Sequence, residues 1–402
     1  MTTDPLSDVV SAQYERWVYP QPIVDLPGWL QSNWQWFDPS HSHLMFWPDR
    51  DYWPGMQILV AGCGTNQAAV LAYTNPQACV VAIDVSQSSL DNHASLKRKY
   101  NLKNLDLYRL PIEEVSSLQR EFDLIISTGV LHHLADPLKG LVCLSQCLRQ
   151  DGVMALMLYA CYGRLGVEML QGVFRDLGLS QNENSLELVK EAISLLPNDH
   201  PVQSYIQMAP DLAYDAGLVD TFLHGRDRSY SVDGCFELVE GAGLEFQNFF
   251  LRAPYEIPLG LNGRFVSSLA AASDRQRWAM MERLNFRNGC HFFTACRADR
   301  APQTYRIDLG SASARHYVPV FRFRCYIEGR RMIRPNWQME LDDFQAAILG
   351  CVDGALSIEQ IIAKAANLPT VAGRGEDLTR RVMELMTLMW QLDFISIKFG
   401  QV

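Results

Sequence analysis

The sequence predicts an α/β fold with a doubly wound, mostly parallel, seven-stranded sheet between residues 56 and 300. Strand-like runs alternate there with helical runs, which is the pattern of parallel strands joined by helical crossovers. In chain order the strand-like runs are 58–60, 79–84, 105–110, 122–127, 153–158, 244–250 and 290–296. We expect the last of them to be an antiparallel strand, with helical insertions at about 163–230 and 252–289.

A glycine turn follows the first strand. Residues 61–64 read Ala61-Gly62-Cys63-Gly64, and a helix-compatible run begins a few residues later. The bare backbone of Gly62 and Gly64 would let a ligand approach the amides and the positive end of the helix. The third glycine of a dinucleotide fingerprint is replaced by Gln67, and the Gly-Lys-Ser/Thr of a phosphate loop is missing. The turn therefore predicts a nucleotide-type site of another kind.

The second strand ends in Asp84, a carboxylate well placed to accept hydrogen bonds from a ribose. Together with the turn, the segments AGCGT (61–65), AIDVS (82–86), FDLIISTGVLHHL (122–134) and LRQDGVMAL (148–156) resemble the motifs of class I S-adenosylmethionine-dependent methyltransferases. The resemblance covers roughly residues 56–158. It implies a Rossmann-like methyltransferase fold, an enzyme, and S-adenosylmethionine as the cofactor.

The resemblance also implies roles for individual residues. Ala61, Gly62 and Gly64 would hold the methionyl end of the cofactor, and Asp84 would hold its ribose. The adenine would be read near residues 112 and 113, by the backbone of Ile112 or Glu113 or by the Glu113 side chain. Thr128 and Gly129 would complete the cofactor site, and one or the other would form its face toward the methyl acceptor.

Residues 1–55 form an aromatic, proline-rich segment, which must pack against the rest of the protein because disordered tails are poor in aromatics. In similar methyltransferases an N-terminal helical segment covers the cofactor pocket. Tyr14, Trp17 and Tyr19 are candidates for that lid, and Tyr14 and Tyr19 for contact with the acceptor. The alternative is that these aromatics only fill the space between the segment and the core.

The insertion after residue 158 supplies further candidates. Tyr162 and Arg164 follow the carboxyl end of a strand, where ligands bind in open α/β sheets, and would face the acceptor. A polar cluster at residues 220–230 contains His224, Asp227 and Tyr230, which are candidates for a catalytic base. The alternative for this cluster is a solvated linker with an internal salt bridge.

His132 and His133 are expected to pack beneath the site rather than to act in catalysis, although histidine is the usual general base. No metal site is predicted, because the ten cysteines are scattered and form no C-x-x-C pair. Those thiols indicate a reducing compartment, so the location is expected to be cytoplasmic. The net charge of -10 argues against a general nucleic-acid binder, and no apolar run is long enough to cross a membrane.

Residues 301–402 are expected to form a second domain, with an arginine-rich strand, three helices and a final strand. This order suggests a winged-helix-like module, whose last helix is too apolar to read a DNA groove and is better suited to a protein partner. The whole layout resembles longer bacterial, particularly cyanobacterial, methyltransferases, and is loosely similar to the enzyme that methylates an asparagine of phycobiliproteins.

That similarity implies a protein side chain as the acceptor, with N-methylation of an asparagine amide as one possibility. The alternatives are a small-molecule acceptor, such as a quinone or secondary metabolite, and a non-catalytic regulator that binds S-adenosylmethionine. A deep pocket lined by the N-terminal aromatics would favour a small molecule, whereas an open cleft would favour a protein.

Overall fold

The computed structural model describes residues 4–369, 371 and 377–400, and contains twelve strands within them. The strands are β1 (Gln57–Ala61), β2 (Cys79–Asp84), β3 (Leu105–Arg109), β4 (Phe122–Thr128), β5 (Leu148–Tyr159), β6 (Leu244–Phe249), β7 (Cys290–Arg297), β8 (Val318–Phe321), β9 (Tyr326–Glu328), β10 (Arg331–Arg334), β11 (Trp337–Glu340) and β12 (Ile395–Lys398).

The α-helices of the same residues are α1 (Val9–Arg16), α2 (Leu26–Ser32), α3 (Pro39–Ser42), α4 (Gln67–Thr74), α5 (Gln87–Tyr100), α6 (Pro137–Ser145), α7 (Leu165–Asp176), α8 (Glu183–Leu195), α9 (Val202–Ile206), α10 (Asp215–Phe222), α11 (Val232–Gly241), α12 (Arg264–Ala270), α13 (Asp274–Leu284), α14 (Asp343–Leu349), α15 (Ile358–Ala365) and α16 (Asp377–Gln391). Short 3₁₀ helices lie at His43–Met45, Ile112–Leu118, Leu131–His133, Pro210–Ala213, Ala253–Tyr255, Pro302–Thr304 and Ala312–His316.

The first compact unit comprises residues 4–37, 54–249 and 257–299 and is built on a seven-stranded sheet. The strand order is β3-β2-β1-β4-β5-β7-β6. Strands β1 to β5 pair in parallel, and β7 runs antiparallel to both β5 and β6. The predicted doubly wound sheet with an antiparallel last strand is confirmed. The chain changes direction across the sheet between β1 and β4, and ligands bind at such a switch point.

Burial explains why the central strands read as continuous apolar runs. Ile58, Leu59 and Val60 of β1 are all fully buried, because β1 lies between β2 and β4 and both of its faces are covered. Their β-branched and apolar side chains fit the interior of a parallel sheet. The polar and glycine residues that follow β1 mark the edge where the sheet opens toward a ligand.

Two local features of this unit depart from the sequence pattern. Gln150-Asp151-Gly152 is a sequence that predicts a turn before the strand, and this prediction is wrong, because β5 already begins at Leu148 and passes through these residues. The pairing of β5 with β4 shifts register, because Phe122 pairs with Leu148 and Leu124 with Val153, so β5 bulges in the segment between Leu148 and Val153. The helical periodicity of residues 167 to about 196 belongs to two helices, α7 and α8, and the left-handed residue Gly178 lies between them.

The second unit comprises residues 38–53, 250–256 and 300–400 as far as they are described. It contains an antiparallel pair of β8 with β12, a three-stranded sheet in the order β11-β10-β9, and helices α14 to α16 around a separate apolar core. Buried Asp393 joins its segments, because its carboxylate accepts hydrogen bonds from the Arg252 amide and from the Arg322 and Arg334 guanidinium groups. The winged-helix assignment and the expected domain boundaries stay predictions. Among the described residues, no helix has the length and apolarity that crossing a membrane requires.

Candidate active site

The turn after β1 has the backbone that its glycines predict. Gly62 and Gly64 have φ angles of +73° and +53°, in the left-handed region that favours glycine. A side chain at Gly62 would collide with Val130. The Gly62 and Cys63 amides donate to the Ile83 carbonyl at 2.9 and 3.1 Å, which ties the turn to the end of β2. The backbone is therefore exposed to a ligand but held in place.

Asp84 lies next to this turn because β1 and β2 pair in register, with Ala61 opposite Ile83. Its carboxylate accepts hydrogen bonds from the Gly64 amide at 2.8 Å and the Ser86 amide at 2.9 Å. Burial raises the pKa of Asp84 to about 6, and the hydrogen bonds from backbone amides oppose that rise. Neighbouring hydroxyl groups of a bound ribose would satisfy the remaining lone pairs of this carboxylate.

The predicted adenine readers line the same cavity. Ile112 and Glu113 begin the 3₁₀ helix after β3, and the cavity is also lined by Thr128, which ends β4, and by Gly129 after it. The buried Oε2 atom of Glu113 has no hydrogen-bond partner in the structure. A buried carboxylate oxygen without a donor is costly, and the exocyclic amino group of an adenine is a suitable donor.

The chemistry of these features suits S-adenosylmethionine. A glycine turn, a carboxylate beside it and a buried carboxylate oxygen without a hydrogen-bond partner all border one cavity of about 280 Å³. Ala61, the other predicted cofactor residue, is fully buried behind the turn and does not line the cavity. The residues present fit the cofactor.

The N-terminal segment forms one wall of this cavity. Thr65 and Asn66 side chains donate to the carbonyls of Pro20 and Gln21 at 2.7 and 2.8 Å, which fastens the segment to the glycine turn. Tyr14 and Tyr19 line the cavity, as expected for lid residues. Trp17 does not line it: its indole nitrogen lies 3.5 Å from the Gln181 carbonyl, and its ring packs beside the core of α7, α8 and α10.

A buried carboxylate stands among tyrosines on the same side of the cavity. Asp220 of α10 is 2% exposed and lines the cavity. Its carboxylate accepts hydrogen bonds from the Tyr14 hydroxyl at 2.8 Å, the Tyr159 hydroxyl at 3.4 Å and the Gln13 amide at 3.4 Å. Burial raises the pKa of Asp220 to about 7, although the hydrogen bond from Tyr14 opposes that rise. A carboxyl group that titrates near neutral pH is a candidate proton acceptor.

The three residues predicted as candidate bases lie outside the described cavity lining. His224 stacks on His133 with ring centroids 3.8 Å apart, and burial lowers its pKa well below the usual value. Asp227 accepts hydrogen bonds from Arg164 at 2.7 Å and Gln171 at 2.9 Å. Tyr230 pairs through its backbone with Tyr159, its amide donating to that carbonyl at 2.8 Å. Their catalytic role stays a prediction.

Tyr162 and Arg164, predicted to face the acceptor, also lie away from the cavity lining. The Tyr162 side chain is exposed, whereas Arg164 is fully buried. The Arg164 guanidinium donates to the Tyr205 hydroxyl and to Asp227, each at 2.7 Å, and lies 3.6 Å from the centre of the Tyr159 ring. Arg164 therefore supports Tyr159 from behind.

The two adjacent histidines differ in position. His132 is fully buried with its ring stacked 4.0 Å from Tyr159, and burial lowers its pKa well below the usual value. His133 lines the cavity, and its Nδ1 donates to the Arg226 carbonyl at 2.8 Å, if Nδ1 carries the proton. His132 thus packs beneath the site, while His133 also contributes to the cavity wall.

Two sets of possible metal ligands occur among the described residues: His132, His133 and Asp227, and His133, Asp220 and His224. The lone pairs of an imidazole lie in its ring plane, and the rings of His133 and His224 are nearly parallel at 20°. Those lone pairs do not converge on one point. Asp227 already holds the Arg164 guanidinium, which would repel a cation. Neither set fits a metal ion.

Sequence reasoning missed Asp220 and Tyr159. A signal for Asp220 was present, because a single carboxylate stands in the apolar run Leu218-Val219-Asp220-Thr221-Phe222. A charged residue on the buried face of a helix requires partners and is a functional candidate. Tyr159 ends β5, and its contact with Asp220 depends on how α10 packs.

Comparison with known proteins agrees with this geometry. A family model described as a methyltransferase domain matches residues 59–154. An uncharacterised protein of Synechococcus is 29% identical over 298 residues, covering 70% of both chains. The trans-aconitate 2-methyltransferase of Deinococcus radiodurans is 33% identical over 114 residues, which are 28% of this chain and 40% of that protein.

Among solved structures, PKMT2 from Rickettsia typhi in complex with AdoHcy superimposes with a TM-score of 0.65. The match covers 91% of this chain and 76% of that chain at 15% identity, so it shows a shared fold. The family match and the glycine turn with its neighbouring Asp84 agree on one cofactor. The chain therefore contains a class I S-adenosylmethionine-dependent methyltransferase domain and is an enzyme that uses S-adenosylmethionine.

Proposed function

We propose that this enzyme methylates a low-molecular-weight acceptor, which enters the cavity beside Tyr14, Tyr159 and Asp220. One observation carries the proposal: these three residues border the same cavity as Gly62, Gly64 and Asp84. The cavity volume of about 280 Å³ includes the space for the cofactor, so the room left beside these three residues suits a compact acceptor group.

S-adenosylmethionine supplies an electrophilic methyl group on a sulfonium. The role of the protein is to hold the donor and the acceptor in line and to keep water away, which lowers the barrier without a covalent intermediate. Gly62 and Gly64, which have no side chains, would let the donor approach the turn closely, and Asp84 would accept hydrogen bonds from the ribose. The backbone of Ile112 or Glu113, or the Glu113 side chain, recognises the adenine edge.

The N-terminal wall would exclude water during transfer. The Tyr19 hydroxyl donates to Asp211 at 2.8 Å and the Tyr14 hydroxyl to Asp220, so two tyrosines of this segment are attached to the body of the first unit. Arg226 extends the attachment through an ion pair with Asp8 at 3.0 Å. Each of these contacts contributes little free energy by itself, so the segment can open for substrate entry and close again by breaking and re-forming them one at a time.

A protein side chain remains the second candidate acceptor. The observation that favours it is the presence of a second compact unit outside the methyltransferase domain, because an additional module suits recognition of a macromolecule. N-methylation of a side chain, including an asparagine amide, therefore stays a prediction. A non-catalytic regulator is the third possibility and would bind the cofactor without turnover.

The test is transfer of tritiated methyl groups from S-adenosylmethionine into an extract of the source cells by the full-length chain. We expect label in the extractable small-molecule fraction. Asp84→Ala should abolish it, whereas Asp106→Ala, which removes a half-exposed carboxylate on the neighbouring strand, should not. Label in the protein fraction would favour the second candidate. Cofactor binding without any transfer would favour a regulator.

A further inference from the structure

The cavity is lined by unequal numbers of acidic and basic side chains. Four carboxyl groups border it, and Arg226 is the single guanidinium in the described lining; the acids are Asp8, Asp84, Glu113 and Asp220. Arg226 is already engaged, because it pairs with Asp8 at 3.0 Å and donates to the His133 carbonyl at 3.3 Å. Burial lowers the pKa of His133, so this imidazole is neutral near pH 7. The cavity is electrostatically suited to cations.

Asp220 is the carboxylate that the cofactor roles leave unused. Each hydrogen bond that it accepts in the described structure comes from a neutral donor: Tyr14, Tyr159 and Gln13. The nearby Arg164 guanidinium is bound to Asp227 and Tyr205 instead. A buried carboxylate without a cationic partner is unfavourable, and a bound cation would offset that cost.

The acceptor classes can be ranked against this arrangement. An ammonium ion supplies the missing positive charge and donates hydrogen bonds to the carboxylate. A carboxylic acid acceptor would bring a second negative charge into the cavity, and a phenol would bring no positive charge to offset that of Asp220. An amide nitrogen carries no positive charge and is too weak an acid to give its proton to a carboxylate. Of these acceptor classes, an amine fits the arrangement best.

We infer that the methyl acceptor is a primary or secondary amine, which binds as its ammonium ion between Asp220, Tyr14 and Tyr159. This inference rests on the proposed methyl transfer and specifies its substrate class. The ammonium ion gives one proton to the Asp220 carboxylate. The freed nitrogen lone pair then forms a bond to the methyl carbon, while the carbon–sulfur bond breaks and its electron pair stays on sulfur. The products are an N-methylammonium ion, S-adenosylhomocysteine and a protonated Asp220, which later releases its proton to water.

The surroundings of Asp220 support its use as the proton acceptor. Burial raises its pKa to about 7, Tyr14 opposes the rise by donating a hydrogen bond, and the neighbouring charges of Asp227 and Asp211 raise it further. Arg164 acts in the opposite direction. A general base is most useful when its pKa lies near the working pH.

The first experiment identifies the chemistry of the labelled product, whether it is extractable or protein-bound. The full-length chain is incubated with tritiated S-adenosylmethionine and cell extract, and the product, after digestion to amino acids with proteases if it is protein-bound, is passed over a cation exchanger at neutral and at strongly alkaline pH. We expect a base-stable product that is retained at neutral pH and released at alkaline pH, as a methylamine would be. Label released as methanol by mild base, or a product that is not retained, would overturn the inference.

The second experiment compares Asp220→Asn with Asp215→Asn on the same helix, whose carboxylate is exposed and paired with Lys190 at 2.9 Å. Asp220→Asn should lower turnover by about 100-fold or more, the usual contribution of a general base, while S-adenosylhomocysteine affinity measured by calorimetry stays within about twofold. Asp215→Asn should match the wild type in both measurements. Unchanged turnover in Asp220→Asn would overturn the inference alone. If the wild type binds S-adenosylhomocysteine but transfers no label to any acceptor, the proposed function is overturned, and the inferred acceptor class with it.

Discussion

At the donor end of the cavity, Gly64 and Asp84 are 20 residues apart and meet because two consecutive parallel strands lie side by side. At the acceptor end, Tyr14 and Asp220 are 206 residues apart, and Tyr159 and Asp220 are 61 residues apart. The donor end uses backbone conformation and one carboxylate, whereas the acceptor end uses side chains from three separate segments. A local motif thus builds the part of the site that binds the cofactor, and long-range packing builds the part that selects the acceptor.

The largest effect should come from breaking the donor end. Gly62→Ala places a side chain against Val130 at a φ of +73°, so the turn or Val130, both of which line the cavity, must shift. We expect at least about 100-fold weaker binding of S-adenosylhomocysteine in calorimetry, comparable with the loss of two hydrogen bonds to charged groups. The matched control is Gly178→Ala, which has a similar φ of +68° and open space around the new Cβ atom. Both variants should lose about 1 kcal/mol of folding free energy for a side chain at a left-handed φ, and Gly62→Ala should lose more because of the contact with Val130, but the control should bind normally. Equal binding by both variants would show that the cradle has been misassigned.

The acceptor end should reveal itself through the pH dependence of stability. Burial raises the pKa of Asp220 to about 7, above its value in an unfolded chain. Such a carboxyl group contributes stability that is fully present below the unfolded pKa and is lost as the pH rises through about 7. Between about pH 5 and about pH 8, the wild type should therefore lose on the order of 2 kcal/mol of unfolding free energy relative to Asp220→Asn.

Urea titrations of both proteins at the two pH values measure this difference. Asp84 and Glu282 have raised pKa values of about 6 and about 7, but both are present in each protein and cancel in the comparison. Asp215→Asn, on the exposed side of α10, should follow the wild type. A constant difference between wild type and Asp220→Asn would mean that Asp220 keeps an ordinary pKa.

The smallest effect should come from the link between the lid and the acceptor end. Tyr14→Phe removes the hydroxyl that donates to Asp220 at 2.8 Å and keeps the ring. We expect turnover to fall by about tenfold, the equivalent of one hydrogen bond, with no change in S-adenosylhomocysteine affinity. This hydrogen bond lowers the pKa of Asp220, so its loss should raise that pKa. The increase of the reaction rate with pH should therefore occur at a higher pH in the variant than in the wild type.

Tyr73→Phe is the control for Tyr14→Phe, since Tyr73 is partly exposed and packs edge-on against Tyr100, away from the cavity lining. It should leave both turnover and the pH profile unchanged. If Tyr14→Phe weakened cofactor binding as much as turnover, Tyr14 would belong to the donor end, and the contrast between the two ends would be lost.

The difference between local motifs and long-range packing also explains which structural elements could be predicted from the sequence. The strands β1, β2 and β4 were recognisable because both of their faces are buried, so each reads as a run of apolar residues that ends at a polar or glycine residue. The division of residues 167–196 into two helices was missed because the periodicity continues past Gly178, and only its left-handed backbone ends α7. Local patterns report burial well and chain reversals poorly.

For this protein, the sequence by itself determined the α/β sheet, the glycine turn and Asp84, and hence the cofactor. A left-handed glycine and a carboxylate at a strand end are needed wherever this turn occurs, so their chemistry can be read from neighbouring residues. Only the tertiary structure decided that Asp220, rather than His224, Asp227 or Tyr230, lines the cavity beside Tyr14. The direction in which a helix presents one buried side chain depends on the packing of segments that are distant in the chain, and no local pattern contains that information.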